Sequence, residues 1–393
     1  MIKNEKNSKI YLLITLSAMT AFAPLVTDMY LPALPALSGY FRTSASMAQM
    51  TISTSMLGIA AGQLFFGPLS DKMGRRRPLF ASLALYLSAT VGCFLSTGIV
   101  MLIVFRLLQG LGAAGGIVLA RSVAADLFSG KDLLKFLALI AAVQGVAPVA
   151  APVAGGALLL ITDWKGIFVT LGLLGVMVMI AGLRLKESLP KHRRIDTPLV
   201  STFRFFAPVL RNRLFMFYIA LMSFSMAVMF VYIASSPFIF QEHYGVSPMA
   251  YGVIFAVNAV ALTIGNLLSA KLKNPHATLK YSIAGLFCFS LAASATLLLD
   301  AGIYVLCVPL FFALLFAGAT FPVTTNLALD LERKFKGTAS AVLGATTFLV
   351  GGAVMPLAGI GDILLPTAAA MTLCATIAAG LFIAVEKTIR KQS

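Results

Sequence analysis

Long apolar stretches, broken by short polar ones, recur from one end of the chain to the other. Each is about 20 residues or longer, enough to cross a bilayer as an α-helix. In chain order they predict twelve spans. The first six are Ile10 to Leu37, Ser44 to Leu69, two helices sharing Leu79 to Ala120 and parted at Ser96-Thr97-Gly98, Phe136 to Ile161, and Gly166 to Leu183. The second six are Leu214 to Phe240, Met249 to Ala270, Tyr281 to Leu299, Ala301 to Leu329, Gly337 to Gly361 and Ile363 to Val385. Asp126 to Lys135 reads as a charged loop between spans four and five, and Glu242 with His243 as an exposed loop after span seven. The longest polar segment divides the spans six and six, so the expected units are 1–183, a linker 184–213 and 214–393. Within the linker, Leu199 to Leu210 reads as a surface helix whose Phe side chains meet the membrane interface. The fold class is all-α integral membrane, with twelve transmembrane helices as two six-helix bundles.

Composition agrees. The chain has 393 residues, of which 59% are hydrophobic and 11% charged, where a soluble domain is about a quarter charged. The net charge of +16 raises the question of nucleic acid, and its placement answers it. Arg42 and Lys165 fall in loops on one side and Arg106 inside a span, while the rest of the 30 Lys and Arg sit in alternate loops and the two termini. That is the positive-inside bias, and it predicts that both termini are cytoplasmic. The partner of this charge is a lipid bilayer, not nucleic acid. The first apolar segment is of spanning length without a convincing cleavage site, so it reads as an uncleaved first helix. Cys93, Cys288, Cys307 and Cys374 are scattered through apolar spans and read as core residues, so neither a metal site nor a cofactor is expected. No nucleotide-binding loop, catalytic carboxylate pair or Ser/His/Asp grouping appears, which argues against an enzyme and against direct use of ATP.

Two spans carry ionisable groups. In Val104 to Arg121, VFRLLQGLGAAGGIVLAR, Arg106 and Gln109 lie inside an otherwise apolar helix. A charge at such depth costs roughly 2.5–3.5 kcal/mol on insertion scales and marks a cavity or a partner charge. Asp28 lies about 18 residues into span one, which at ~1.5 Å per residue places it beyond the midplane. Two readings remain open for it: a helix-end carboxylate touching water, or a titratable group facing a cavity. Arg106 cannot itself release a proton at ordinary pH. Its expected roles are to tune Asp28, or to hold a hydrogen-bond network. Gln49, Gln63, Gln144, Asn258, Asn266 and Asn326 read first as interhelical hydrogen-bonding groups. Tyr30, Gln109, Tyr232, Phe316 and Asn326 are candidates for the wall of a substrate cavity, since aromatic and mixed surfaces accommodate varied apolar ligands.

Four motifs carry a resemblance. Gly67 to Pro78, GPLSDKMGRRRP, places Asp71 to meet Arg75, Arg76 or a helix N-terminus, with Gly74 suited to a left-handed turn. Its order resembles the signature loop of the major facilitator superfamily, which implies that Gly67, Asp71, Gly74 and Arg75 form a conformational latch. Gly265 to Asn274 echoes it without the Asp and the second Gly. Asp28-Met29-Tyr30-Leu31-Pro32 resembles the first-helix motif of the Bcr/CflA-type drug-resistance branch. Arg106-x-x-Gln109-Gly110 resembles the fourth-helix motif of proton-coupled members. Gly145 to Gly156, with Pro148, Pro152, Gly155 and Gly156, resembles the antiporter motif, although Ala151 stands where the family has Gly. The resemblance implies the major facilitator fold, with substrate near the midplane between the halves. It also implies a monomer in the bacterial cytoplasmic membrane that exports drug-like small molecules in exchange for protons by alternating access, with Asp28 and Arg106 in proton coupling. An exporter of a metabolite such as a sugar or amino acid stays open. The antiporter motif argues against uptake.

Overall fold

The computed structural model describes residues 8–194, 206–332 and 336–390. Among these, eleven helices are long and apolar enough to cross a membrane, and a bent pair at the start supplies a twelfth span. The first span is α1 (Lys9–Asp28), a 3₁₀ turn at Leu31–Ala33, and α2 (Leu34–Phe41). Spans two to six are α3 (Ala45–Met73), α4 (Arg76–Phe94), α5 (Ile99–Leu127), α6 (Gly130–Leu158) and α7 (Trp164–Leu183). A short helix, α8 (Phe206–Arg211), precedes spans seven to twelve: α9 (Arg213–Pro237), α10 (Pro248–Ser269), α11 (Pro275–Leu298), α12 (Ile303–Leu331), α13 (Lys336–Val354) and α14 (Leu364–Arg390).

Many helix starts are written in the sequence. The side chains of Ser8, Ser44, Asp163, Asn212, Ser247 and Asn274 each accept a hydrogen bond from a backbone N–H of the first turn. This satisfies donors that the helix itself leaves open. The first span is bent by 41° between Lys9–Phe22 and Pro24–Phe41. Pro24 lacks an N–H and its ring crowds the preceding turn, so the bend falls there rather than only at Pro32 and Pro35.

The charged loop expected over Asp126 to Lys135 is instead almost entirely helical. α5 continues to Leu127 and α6 begins at Gly130, leaving Phe128 and Ser129 between them. Phe128 stacks on Phe136 with ring centroids 4.5 Å apart, and Asp132 sits in the first turn of α6, where the helix dipole favours an anion. Apolar runs mark the part of a helix in lipid, whereas backbone hydrogen bonding continues into water. For the same reason α4 starts at Arg76 and α14 reaches Arg390. The expected loop at Glu242 and His243 is a wide π-helical turn, Phe238–His243, continuing α9. Of the surface helix expected over Leu199 to Leu210, Phe206–Arg211 is helical and residues 199–205 lie outside the described residues, as do parts of both tails.

The first six spans form one bundle and the last six another. They meet where α6 packs on α10 and α3 packs on α13. An even number of spans puts the start of α1 and the end of α14 on one face, the terminal face. On the opposite side the bundles are hydrogen-bonded together. Ser46 Oγ donates to the Pro356 carbonyl at 2.8 Å, Gln49 Nε2 to that of Ala234 at 3.1 Å, and Ser53 Oγ to that of Gly352.

Candidate functional site

The site is built where the first span breaks. α1 ends at Asp28, and the chain turns through Met29 and Tyr30 into the 3₁₀ segment. Asp28 is 6% exposed and accepts a hydrogen bond from Thr27 Oγ1 at 2.8 Å. Tyr251 is buried on α10, in the other bundle. Tyr251 shares a 3.1 Å hydrogen bond with Ser236.

Arg106 is fully buried within the first bundle. Its Nη1 donates to Gln109 Oε1 at 2.7 Å and to the Val26 carbonyl at 3.0 Å, and its Nε donates to the Thr51 carbonyl at 3.3 Å. The guanidinium lies 4.5 Å from the Tyr30 ring centroid, a distance at which the ring quadrupole attracts a cation. Gln109 passes the network on through Nε2 to Thr90 Oγ1 at 2.9 Å. Arg106 therefore ties α1, α3 and α5 together, and Gln109 adds α4. The guanidinium makes no ion pair with Asp28 in this conformation. It acts two residues away, on the carbonyl of Val26, and its Nη2 has no partner among the described residues.

The five residues expected to share a cavity wall are not brought together. Tyr30 is buried between Arg106, Thr51 (Oγ1 3.2 Å away) and Phe168, and Gln109 is buried in the Arg106 network. Both hold the first bundle together. Tyr232 is buried in the second bundle, accepting from Asn258 Nδ2 at 2.8 Å and stacked on Phe255. Phe316 points away from the other bundle, towards α11, where it stacks on Phe289 over Gly285. Asn326 is exposed near the terminal end of α12. Aromatic and amide side chains satisfy an interhelical contact as readily as a ligand, and periodicity alone does not separate the two.

The antiporter-like segment lies against Asp28's turn. A Cβ at Gly155 would collide with the Met29 carbonyl oxygen, one residue beyond Asp28. A Cβ at Gly156 would stand 2.6 Å from the Pro248 carbonyl oxygen, at the start of α10. Two successive glycines thus let α6 touch the first span on one side and the second bundle on the other. Pro148 and Pro152 lie inside α6, and Pro152 presents its carbonyl to Gly252 of α10.

At the terminal face, Arg75 is the centre of a second network. It donates from Nη1 to Asp71 Oδ1 at 2.6 Å and Ser70 Oγ at 2.7 Å, and from Nε to Asp126 Oδ2 at 2.8 Å. Burial disfavours the guanidinium charge, but Asp126 and Asp71 outweigh it and hold its pKa above the ordinary value. The linker joins in. Glu187 accepts from the backbone N–H groups of Arg75 (2.8 Å) and Arg76 (3.2 Å), capping α4 from a distant part of the chain, and Ser188 Oγ donates to Asp126 Oδ2 at 2.8 Å. Gly74 has φ +90°, and a Cβ there would stand 2.5 Å from Glu187 Oε2. Gly67 lies one helical turn before Asp71, its carbonyl accepting from Ser70. Sequence reasoning missed Thr51, Thr90, Tyr251, Asp126, Glu187 and Ser188. For Asp126 a signal existed, an acid at a helix end facing a basic loop. For the others there was none.

Residues 16–356 match the Major Facilitator Superfamily. The chain belongs to that superfamily. It is 32% identical over 353 residues to the uncharacterized MFS-type transporter YdgK of Bacillus subtilis, covering 88% of each chain. It is 27% identical over 363 residues to the bicyclomycin resistance protein homolog of Haemophilus influenzae, again covering 88% of each. The multidrug resistance protein MdtL of Escherichia coli is 29% identical over 250 residues, 63% of each chain. These relatives bear out the resemblance to the Bcr/CflA-type branch. Among solved structures, a bacterial homolog to the human lysosomal transporter Spinster, inward-facing and unoccupied, superposes with a TM-score of 0.76 at 18% identity over 98% of this chain and 99% of that one. A D-xylose-proton symporter gives 0.74 at 15% identity over 94% of this chain and 97% of that one. At these identities the likeness is one of fold. The protein is a multi-pass membrane transporter of the major facilitator type, and the transport family rather than an enzyme family accounts for its residues.

Proposed function

We propose that this transporter exports small lipophilic, drug-like compounds across the bacterial cytoplasmic membrane in exchange for protons. In this reading both termini are cytoplasmic, the monomer is the working unit, and the halves 1–183 and 214–393 rock about the linker 184–213. The observation that carries it is the place of Asp28. A buried carboxylate stands at a break in the first span, beside the α6 segment whose next residue touches the other bundle. Protonation there changes the charge at the seam between the halves, so it biases their closure. A ligand shifts such an equilibrium only through its different affinity for the two states. Inward proton movement supplies about 2.3 kcal/mol per charge per 100 mV. The drug-resistance relatives support drug-like compounds over sugars and amino acids as substrate. In this reading the face where Ser46, Gln49 and Ser53 bond the two bundles together is the closed one, and transport requires these bonds to break.

The test uses proteoliposomes with an imposed pH gradient and an internal pH-sensitive dye. A neutral amphenicol, a lipophilic cation and a cyclic dipeptide are each added to wild type and to Asp28→Asn. Drug-triggered proton release that vanishes in the variant is the expected result. Release that persists in Asp28→Asn places coupling elsewhere, and a response to metabolites alone overturns the substrate class.

A further inference from the structure

α10 and α12 touch backbone to backbone at two glycines: Gly265 lies under the Leu315 carbonyl and Gly318 under that of Leu262. From the Gly265 contact to the α10–α11 turn, α11 does not fill the space between them. What remains is a groove with a cavity volume of ≈ 510 Å³. Gly265, Leu268, Leu315 and Phe316 lie towards one end of it, Lys273 and Asn274 at the other. Its rim is open: Leu268 is 55% exposed, Leu272 59% and Tyr281 70%. This groove lies on the side of α12 that faces α11, away from the seam between the bundles, so it is separate from the site around Asp28.

The charged residues on the segments that line it have one sign. Lys271, Lys273, His276 and Lys280 are all exposed around the turn. No Asp or Glu occurs between Tyr244 and Leu299, or between Ile303 and Leu329, which covers the lengths of α10, α11 and α12 that line the groove. An apolar channel ending in a basic rim at the membrane surface matches one kind of molecule, an acyl chain with an anionic head. A lipophilic cation would be repelled at the rim, and a neutral lipid would leave the lysines without a counter-charge.

We infer that this groove binds an anionic phospholipid of the leaflet at the terminal face, one acyl chain lying along Leu268 and Phe316 and the head-group phosphate at Lys273. Basic pockets between transmembrane helices on the cytoplasmic side bind such head groups. The occupied groove wedges the gap between α10 and α12.

The single tryptophan, Trp164, makes a site-specific optical test possible. In a Trp164→Phe background, Leu272→Trp reports the groove rim and Leu373→Trp reports an exposed lipid-facing position on α14. Each is reconstituted in phosphatidylcholine vesicles with a small fraction of chain-brominated phosphatidylglycerol, or of chain-brominated phosphatidylcholine. The expected result is a preference for the anionic quencher of about fivefold at position 272, the contribution of one basic side chain at an anionic surface. No preference is expected at position 373, and Lys273→Glu, an exposed substitution, removes the preference at 272. Equal quenching by the two lipids at 272 overturns the inference. So does an anionic preference as large at 373, or one that survives Lys273→Glu. Stronger quenching at 272 by a brominated cationic amphiphile also overturns it and makes the groove a binding site for cations.

Discussion

The guanidinium of Arg106 donates to the carbonyl of Val26 at 3.0 Å, two residues before Asp28. A buried cation thus holds the backbone at the break in the first span rather than pairing with the carboxylate. The first prediction concerns this bond. Arg106→Lys keeps the charge but loses the planar fork that reaches Val26, Thr51 and Gln109 together. Hydrogen bonds to charged groups are worth about 1.5–3 kcal/mol each. A loss of drug-driven proton exchange of tenfold or more is therefore expected for Arg106→Lys, with the protein still folded. Transport rate and thermal unfolding in detergent, read side by side, check it. Unchanged transport would show that the network is structural only.

Gly155 and Gly156 separate two functions within one helix. Gly155→Ala pushes on the Met29 carbonyl within the first bundle, whereas Gly156→Ala pushes on Pro248 of the second. Overpacking of this kind costs about 1–3 kcal/mol. Gly155→Ala is expected to lower the unfolding temperature. Gly156→Ala is expected to open the seam instead, seen as increased thiol labelling of Ser46→Cys, whose wild-type hydroxyl bonds Pro356 across the closed face.

Glu187 caps a helix that begins 111 residues before it in the chain. Glu187→Ala leaves the first N–H groups of α4 without that acceptor and should cost about 1 kcal/mol, as a lost cap does. Gly74→Ala should cost about 1–3 kcal/mol, because φ +90° is strained for alanine and its Cβ meets Glu187. The two residues are in contact, so the double variant should lose less than the sum. A double-mutant cycle of unfolding temperatures measures this, and strict additivity would show that the linker does not press on Gly74.

One pH dependence follows from an exposed pair. His243 Nε2 and Asp300 Oδ1 are 2.9 Å apart, and Tyr244 donates to the same oxygen at 3.1 Å. These bonds hold the Asp300 carboxyl below its ordinary value of 3.8, the His243 bond most strongly. A depressed carboxyl stabilises the fold above that value and stops doing so as the pH falls through it. The tie between the end of α9 and the α11–α12 turn should therefore loosen on acidification below about pH 4. The protection factor of the Tyr244 amide, its intrinsic exchange rate divided by the observed rate at the same pH, should fall there in wild type. In Asp300→Asn the protection factor should be lower already at neutral pH and change little with acid.

Much of this protein is legible in its sequence. Twelve apolar runs of spanning length, with basic residues in alternate loops, set the class of fold, because a bilayer admits only segments that satisfy their own backbone hydrogen bonds. The order of residues from Gly67 to Arg75 and the glycines of α6 named the family, because close turns and close helix contacts admit few side chains. The buried ionisable residues Asp28 and Arg106 were visible as charges where lipid penalises charge. What they bond to was not. Only the folded chain showed that Arg106 reaches a carbonyl rather than Asp28, and that Tyr30 and Gln109 are buried inside one bundle. It also revealed that Phe316 faces a groove away from the seam, and that Glu187 caps α4 from the linker. A helix presents every side of itself, and hydropathy records that a residue is apolar or polar, not which neighbour it meets. That is decided by how the helices rotate and tilt against one another, through contacts between residues far apart in the chain.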